Sequence, residues 1–189
     1  MLLRHPDTSI HLPRASRESD AARCLETLPA EIMAGLSSPD ARALLSASAG
    51  NAPYLARLIN KYPEVLLRTL TQGYDSETQS LLAGLRAISP ELATSDLMRE
   101  LRQKKAQIAL AVALGDIAGK MPLMAVTRAL SELAEVSVQL ALDHLLRQAE
   151  LRGEFTPKDA AKPAADSGMT GSTCEDGSRY PFARLWRQF

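Results

Sequence analysis

The chain has 189 residues, enough for one domain around one modest core. Lysine plus arginine and aspartate plus glutamate number 22 each, so the formal charge is zero and gives no global reason to expect nucleic acid or an anionic membrane as partner. Two cysteines, Cys24 and Cys174, stand far apart, with no second Cys or His at metal-ligand spacing; this argues against a disulfide framework or a zinc site and fits a reducing cytoplasm.

No apolar run approaches the length of a membrane span, and the longest, 108–114, is alanine-rich and lies inside a helical pattern. The start, Met-Leu-Leu-Arg-His-Pro-Asp, lacks the apolar stretch of a secretory signal. Arg14, Arg17 and Arg23 with Ser9, Ser16 and Ser19 have a faint transit-peptide flavour, but Asp7, Glu18 and Asp20 argue for a plain frayed terminus.

Residues 1–16 are polar and punctuated by Pro6 and Pro13, and are expected to be unordered. Asp20 is placed to cap a first helix reaching Gly35, with Leu25, Leu28, Ile32 and Met33 on one face; Pro29 is the alternative start of a second turn. Ser38-Pro39 reads as an N-cap followed by proline at the first helical position, opening a helix that Gly50 closes. Asn51-Ala52-Pro53 starts the next, with Tyr54, Leu55, Leu58 and Ile59 as its apolar stripe. Pro63 opens another, closed by Gly73, and Asp75 or Ser76 caps a helix carrying Leu81, Leu82 and Leu85. After Pro90, Thr94 or Ser95 starts a long helix to about Ala118, with Leu97, Leu101, Ile108 and Val112 in one seam. Gly119 stops it, and Pro122 begins a final helix to about Arg152 whose buried side is expected at Leu123, Val126, Leu130, Leu133, Ser137, Leu140 and Leu145. No strand pattern rises above background in 17–152. The fold class is therefore all-α, an antiparallel helical bundle with a long final helix pair. Leu101, Ile108, Val112, Leu130 and Leu133 are expected to pack between those two helices.

Beyond Gly153 the helical period stops. Residues 156–178 have a linker composition, and 179–189 are basic and aromatic. All three phenylalanines (Phe155, Phe182, Phe189) and the sole Trp186 lie in this last part, which is compositionally foreign to a body whose aromatics are Tyr54, Tyr62 and Tyr74. Residues 153–189 are accordingly expected to be a linker and a non-native or disordered tail, with no apolar stripe on the helices left over for its aromatics.

Candidate chemistry is sparse. Asp116 sits in the last turn of a helix, where the macrodipole disfavours a carboxylate; it should face solvent or a cation, of which Lys120 is nearest in sequence. Arg99, Arg102, Lys104 and Lys105 read as a solvated helix face. His5, His11 and His144 are isolated, and His144 reads as a helix-edge residue. Cys24 reads as a small apolar helix residue. No catalytic, cofactor-binding or metal-binding residue is assigned.

Three patterns, in matching order and spacing over about 36–152, resemble the bacterial glutamine-synthetase adenylyltransferase family. The first is Gly50-Asn51-Ala52-Pro53-Tyr54-Leu55-Ala56-Arg57-Leu58 with Tyr62-Pro63-Glu64-Val65-Leu66. The second runs from Leu101-Arg102-Gln103-Lys104-Lys105 to Ala113-Leu114-Gly115-Asp116-Ile117-Ala118-Gly119. The third is Val126-Thr127-Arg128-Ala129-Leu130-Ser131-Glu132-Leu133-Ala134-Glu135. The resemblance implies a bifunctional protein that attaches AMP from ATP to a tyrosine of glutamine synthetase, removes it by phosphorolysis, uses Mg, and answers to a nitrogen-signalling regulatory protein. It places this chain in the helical part of the half that removes AMP, in the cytoplasm, with no nucleic-acid or membrane partner. In the family a G-x-G-K-L/M-G turn, E-L-N and S-D-I/L-D follow. Here Ser167-Gly168-Met169-Thr170 still looks like the approach to that strand, and the pattern is then lost through Gly171-Ser172-Thr173-Cys174-Glu175-Asp176-Gly177-Ser178. The chain alone is therefore expected to be non-catalytic and to hold neither ATP nor Mg itself. The alternative is an independent helical protein-interaction module. A small stand-alone nucleotidyltransferase would need a strand-rich domain that the sequence does not show.

The loss at one point suggests a shifted reading frame, because Cys174-Glu175-Asp176-Gly177 can read, one base later, as Ala-Lys-Met-Gly; a cloning-derived tail is the alternative. Sequencing the DNA downstream of codon 170 should show an S-D-x-D strand segment in another frame. Its absence from every frame would favour the independent module.

Overall fold

The computed structural model describes residues 12–36 and 38–154. Among them the chain forms eight helices and no strand: α1 (Glu18–Glu26), α2 (Ala30–Gly35), α3 (Pro39–Asn51), α4 (Pro53–Lys61), α5 (Pro63–Gln72), α6 (Tyr74–Arg86), α7 (Thr94–Ile117) and α8 (Leu123–Leu151). The fold is all-α, with the expected long pair at its end. The expected tail beyond Glu154, and the start of the chain before Leu12, lie outside the described residues.

Proline sets most of the helix starts. Pro39, Pro53 and Pro63 each occupy a first-turn position, where the missing N–H costs nothing and the ring holds φ near its helical value. Pro29 does the same work one residue earlier, as N-cap of α2, so the alternative start at Pro29 holds and two helices replace one running to Gly35, with Arg17 rather than Asp20 at the N-cap of the first. Asp20 instead sits in the first turn of α1, where its carboxylate suits the helix dipole and pairs with Arg23 at 2.8 Å. Gly73 joins α5 to α6 alone. Its φ of 104° lies in the region only glycine enters cheaply, and it takes the capping position expected of Asp75 or Ser76. α7 starts at Thr94, as expected, with Ala93 at its N-cap.

α7 is the centre of the molecule. It touches α3, α4, α5, α6 and α8, and its middle is buried on several faces at once: Ile108, Leu110, Ala111, Val112, Leu114 and Gly115. A helix that is apolar all round belongs inside. Gly119, at φ 60°, ends the α7 segment, and the N–H groups of Lys120 and Met121 donate to the Gly115 carbonyl at 3.0 and 3.1 Å. The Met121 thioether then fills the space a side chain at Gly115 would need: a Cβ there would meet Sδ at 2.5 Å.

α5 and α6 are joined by charge as well as by Gly73. Glu77, buried on α6, accepts from Arg68 of α5 at Nη2 (2.9 Å) and Nε (3.0 Å).

The N-terminal segment departs from expectation. Arg14 to Arg17 lie against the end of α3: Ser16 N–H donates to Asn51 Oδ1 at 3.0 Å, Asn51 Nδ2 donates to the Arg14 carbonyl at 2.9 Å, and Arg17 N–H donates to the Gly50 carbonyl at 3.1 Å. Gly50 permits this, since a Cβ there would meet the Ala15 Cβ at 2.5 Å. The segment before residue 17 is thus fastened at least from Arg14, because the α3–α4 corner supplies donors and acceptors that composition alone does not reveal.

The face of α8 is the main correction. Of the expected buried residues, Val126, Leu133 and Leu140 are in the core, but Leu123, Leu130 and Leu145 are exposed and Ser137 is half-buried. Of the five residues expected between the last two helices, Ile108, Val112 and Leu133 are buried, Leu101 is partly buried against the core, and Leu130 is not buried. Truncating the fully buried Leu114 to alanine should cost about 2–5 kcal/mol. Leu130→Ala should stay within about 0.5 kcal/mol, as should Arg99→Ala. Thermal or urea unfolding of the three variants checks the assignment.

Candidate functional site

α8 has two apolar faces, set by where its side chains fall at 3.6 residues per turn. The inner one carries Val126, Ala129, Leu133, Leu140 and His144 and packs on α6 and α7. Polar anchors hold it there. Glu132 pairs with Arg86 of α6. Arg147 Nη1 lies 2.9 Å from Glu91 Oε1 in the α6–α7 connection. His144, only 3% exposed, is 2.9 Å from the Pro90 carbonyl at Nδ1 and 2.9 Å from Thr94 Oγ1 at Nε2. The carbonyl can only accept, so Nδ1 carries a proton and donates to it. The expected helix-edge residue is therefore a buried clamp between α8 and the segment that leads into α7. No signal in the local sequence marks it, because its partners lie 50 and 54 residues away.

The outer face of α8 is apolar and uncovered among the described residues. Leu123 is 72% exposed, Leu130 44%, Val138 51% and Leu145 62%, with Ala134 between them. Leu123, Leu130 and Leu145 of this stripe were expected in the core.

The remaining candidates stay apart. Asp116 and Lys120 are both exposed at the end of α7. Arg99 and Arg102 are solvated; Arg99 pairs with Asp96 at 2.7 Å, and Lys104 extends over Gly84. Cys24 is buried, with its sulfur 3.7 Å from the Ala56 carbonyl and 3.6 Å from Asn60 Oδ1. Burial pushes its thiol pKa up, only partly offset by Asn60, which keeps it protonated and unreactive. His5, His11 and Cys174 lie outside the described residues. The structure brings none of these groups together.

Residues 43–169 match the family model described as glutamate-ammonia ligase adenylyltransferase. The chain belongs to this family. Among its relatives, the bifunctional glutamine synthetase adenylyltransferase/adenylyl-removing enzyme of Rhodopseudomonas palustris is 36% identical over 166 residues, 85% of this chain and 17% of that protein. The protein of the same name from Xanthobacter autotrophicus is 34% identical over 153 residues, 80% of this chain and 16% of that protein. One from a Bradyrhizobium species is 38% identical over 146 residues, 76% of this chain and 15% of that protein. The chain thus spans about one-sixth of the length of the relatives it matches. No solved structure matches it.

The adenylyltransferase-family patterns now have physical roles. Gly50, Asn51 and Pro53 make the α3–α4 corner that grips Arg14 to Arg17. Gly115 and Gly119 make the α7–α8 corner. Val126, Ala129 and Leu133 form the inner face of α8.

His144→Ala should lower unfolding free energy by about 2–4 kcal/mol, because it leaves two buried partners unmet and opens a cavity. Leu145→Ala, one residue on but exposed, should change it by less than about 0.5 kcal/mol. Denaturant melts of the two variants measure the difference.

Proposed function

We propose that this chain provides the helical, non-nucleotide-binding part of an adenylyltransferase/adenylyl-removing protein, and that alone it neither transfers nor removes AMP. What supports this reading is where much of the family patterns falls: Gly50 and Pro53 at the α3–α4 corner, Gly115 and Gly119 at the α7–α8 corner, and Val126, Ala129 and Leu133 on the packed face of α8. In this proposal residues 17–152 are one helical domain and 153–189 a linker and tail. No residue of the chain is assigned to catalysis or to a cofactor; ATP and Mg belong to the family's chemistry. The partners would be glutamine synthetase, which the relatives' names specify, and a nitrogen-signalling regulatory protein, which only the resemblance implies. The setting would be the cytoplasm, with no nucleic acid or membrane partner. Among the described residues no helix is long and apolar enough to cross a membrane.

A second reading, an independent helical interaction module, draws on one observation: the uncovered apolar stripe of α8.

Purified chain incubated with ATP, Mg²⁺ and glutamine synthetase should show no AMP incorporation, and incubated with adenylylated glutamine synthetase and phosphate should show no AMP or ADP release, each against a no-protein control. Turnover in either direction would overturn the non-catalytic assignment.

A further inference from the structure

We draw no further inference here: the strongest candidate, the outer apolar face of α8 at Leu123, Leu130, Val138 and Leu145, carries none because nothing in the structure shows what covers it.

Discussion

The rest of the structure depends on burying the middle of α7 from several directions. Ile108, Leu110, Ala111, Val112 and Leu114 face α3 to α6 and α8 between them, and no single neighbour covers them all. Alanine and glycine among them keep the helix slim, so surrounding helices approach closely without voids. Once α7 is enclosed, the other helices have little freedom. α6 and α8 flank it, and α3, α4 and α5 close the remaining side. Burying a Leu or Ile side chain is worth about 1.5–3 kcal/mol, so the α7 middle is a large share of what holds the fold.

The corners convert that enclosure into one arrangement. Short helices gain little from their own hydrogen bonds and depend on packing, so their start points must be set by something local. Proline does this at Pro39, Pro53 and Pro63. Glycine does the converse at Gly73 and Gly119, where the chain must take positive φ to turn within one or a few residues. Buried polar links then fix the angles: Arg68 to Glu77 between α5 and α6, and His144 to Pro90 and Thr94 between α8 and the α6–α7 connection. Removing one member of such a link leaves the other buried and unpaired, so each acts as a constraint on geometry more than as a gain in stability.

This division explains what could be read from the sequence. Helix starts were legible because proline and glycine act through their own backbone. The α3, α4 and α5 starts, the stops at Gly73 and Gly119, and the long final pair all follow from local chemistry. The α7 seam was legible because Leu97, Ile108 and Val112 fall on one side. The face of α8 was not. Its large leucines at 123, 130 and 145 make the stronger periodic signal, and they point outward. The core takes the face with Ala129, which lets α8 come close, and with His144, whose partners exist only once α6 and α7 are in place. The hold on Arg14 to Arg17 escaped for the same reason: Asn51 and Gly50 act on a segment more than thirty residues distant.

The misplaced face of α8 is informative in itself. A helix with one apolar stripe has one use for it, the core. α8 has two, and the smaller, polar-anchored one is inside. Arg86–Glu132, His144 and Arg147–Glu91 fix the rotation of α8 about its own axis along its length. That rotation presents Leu123, Leu130, Val138 and Leu145 outward together, along one line. A core that forgoes the larger residues, and spends ion pairs and a buried histidine to hold the helix that way round, is consistent with a surface kept for contact with another polypeptide.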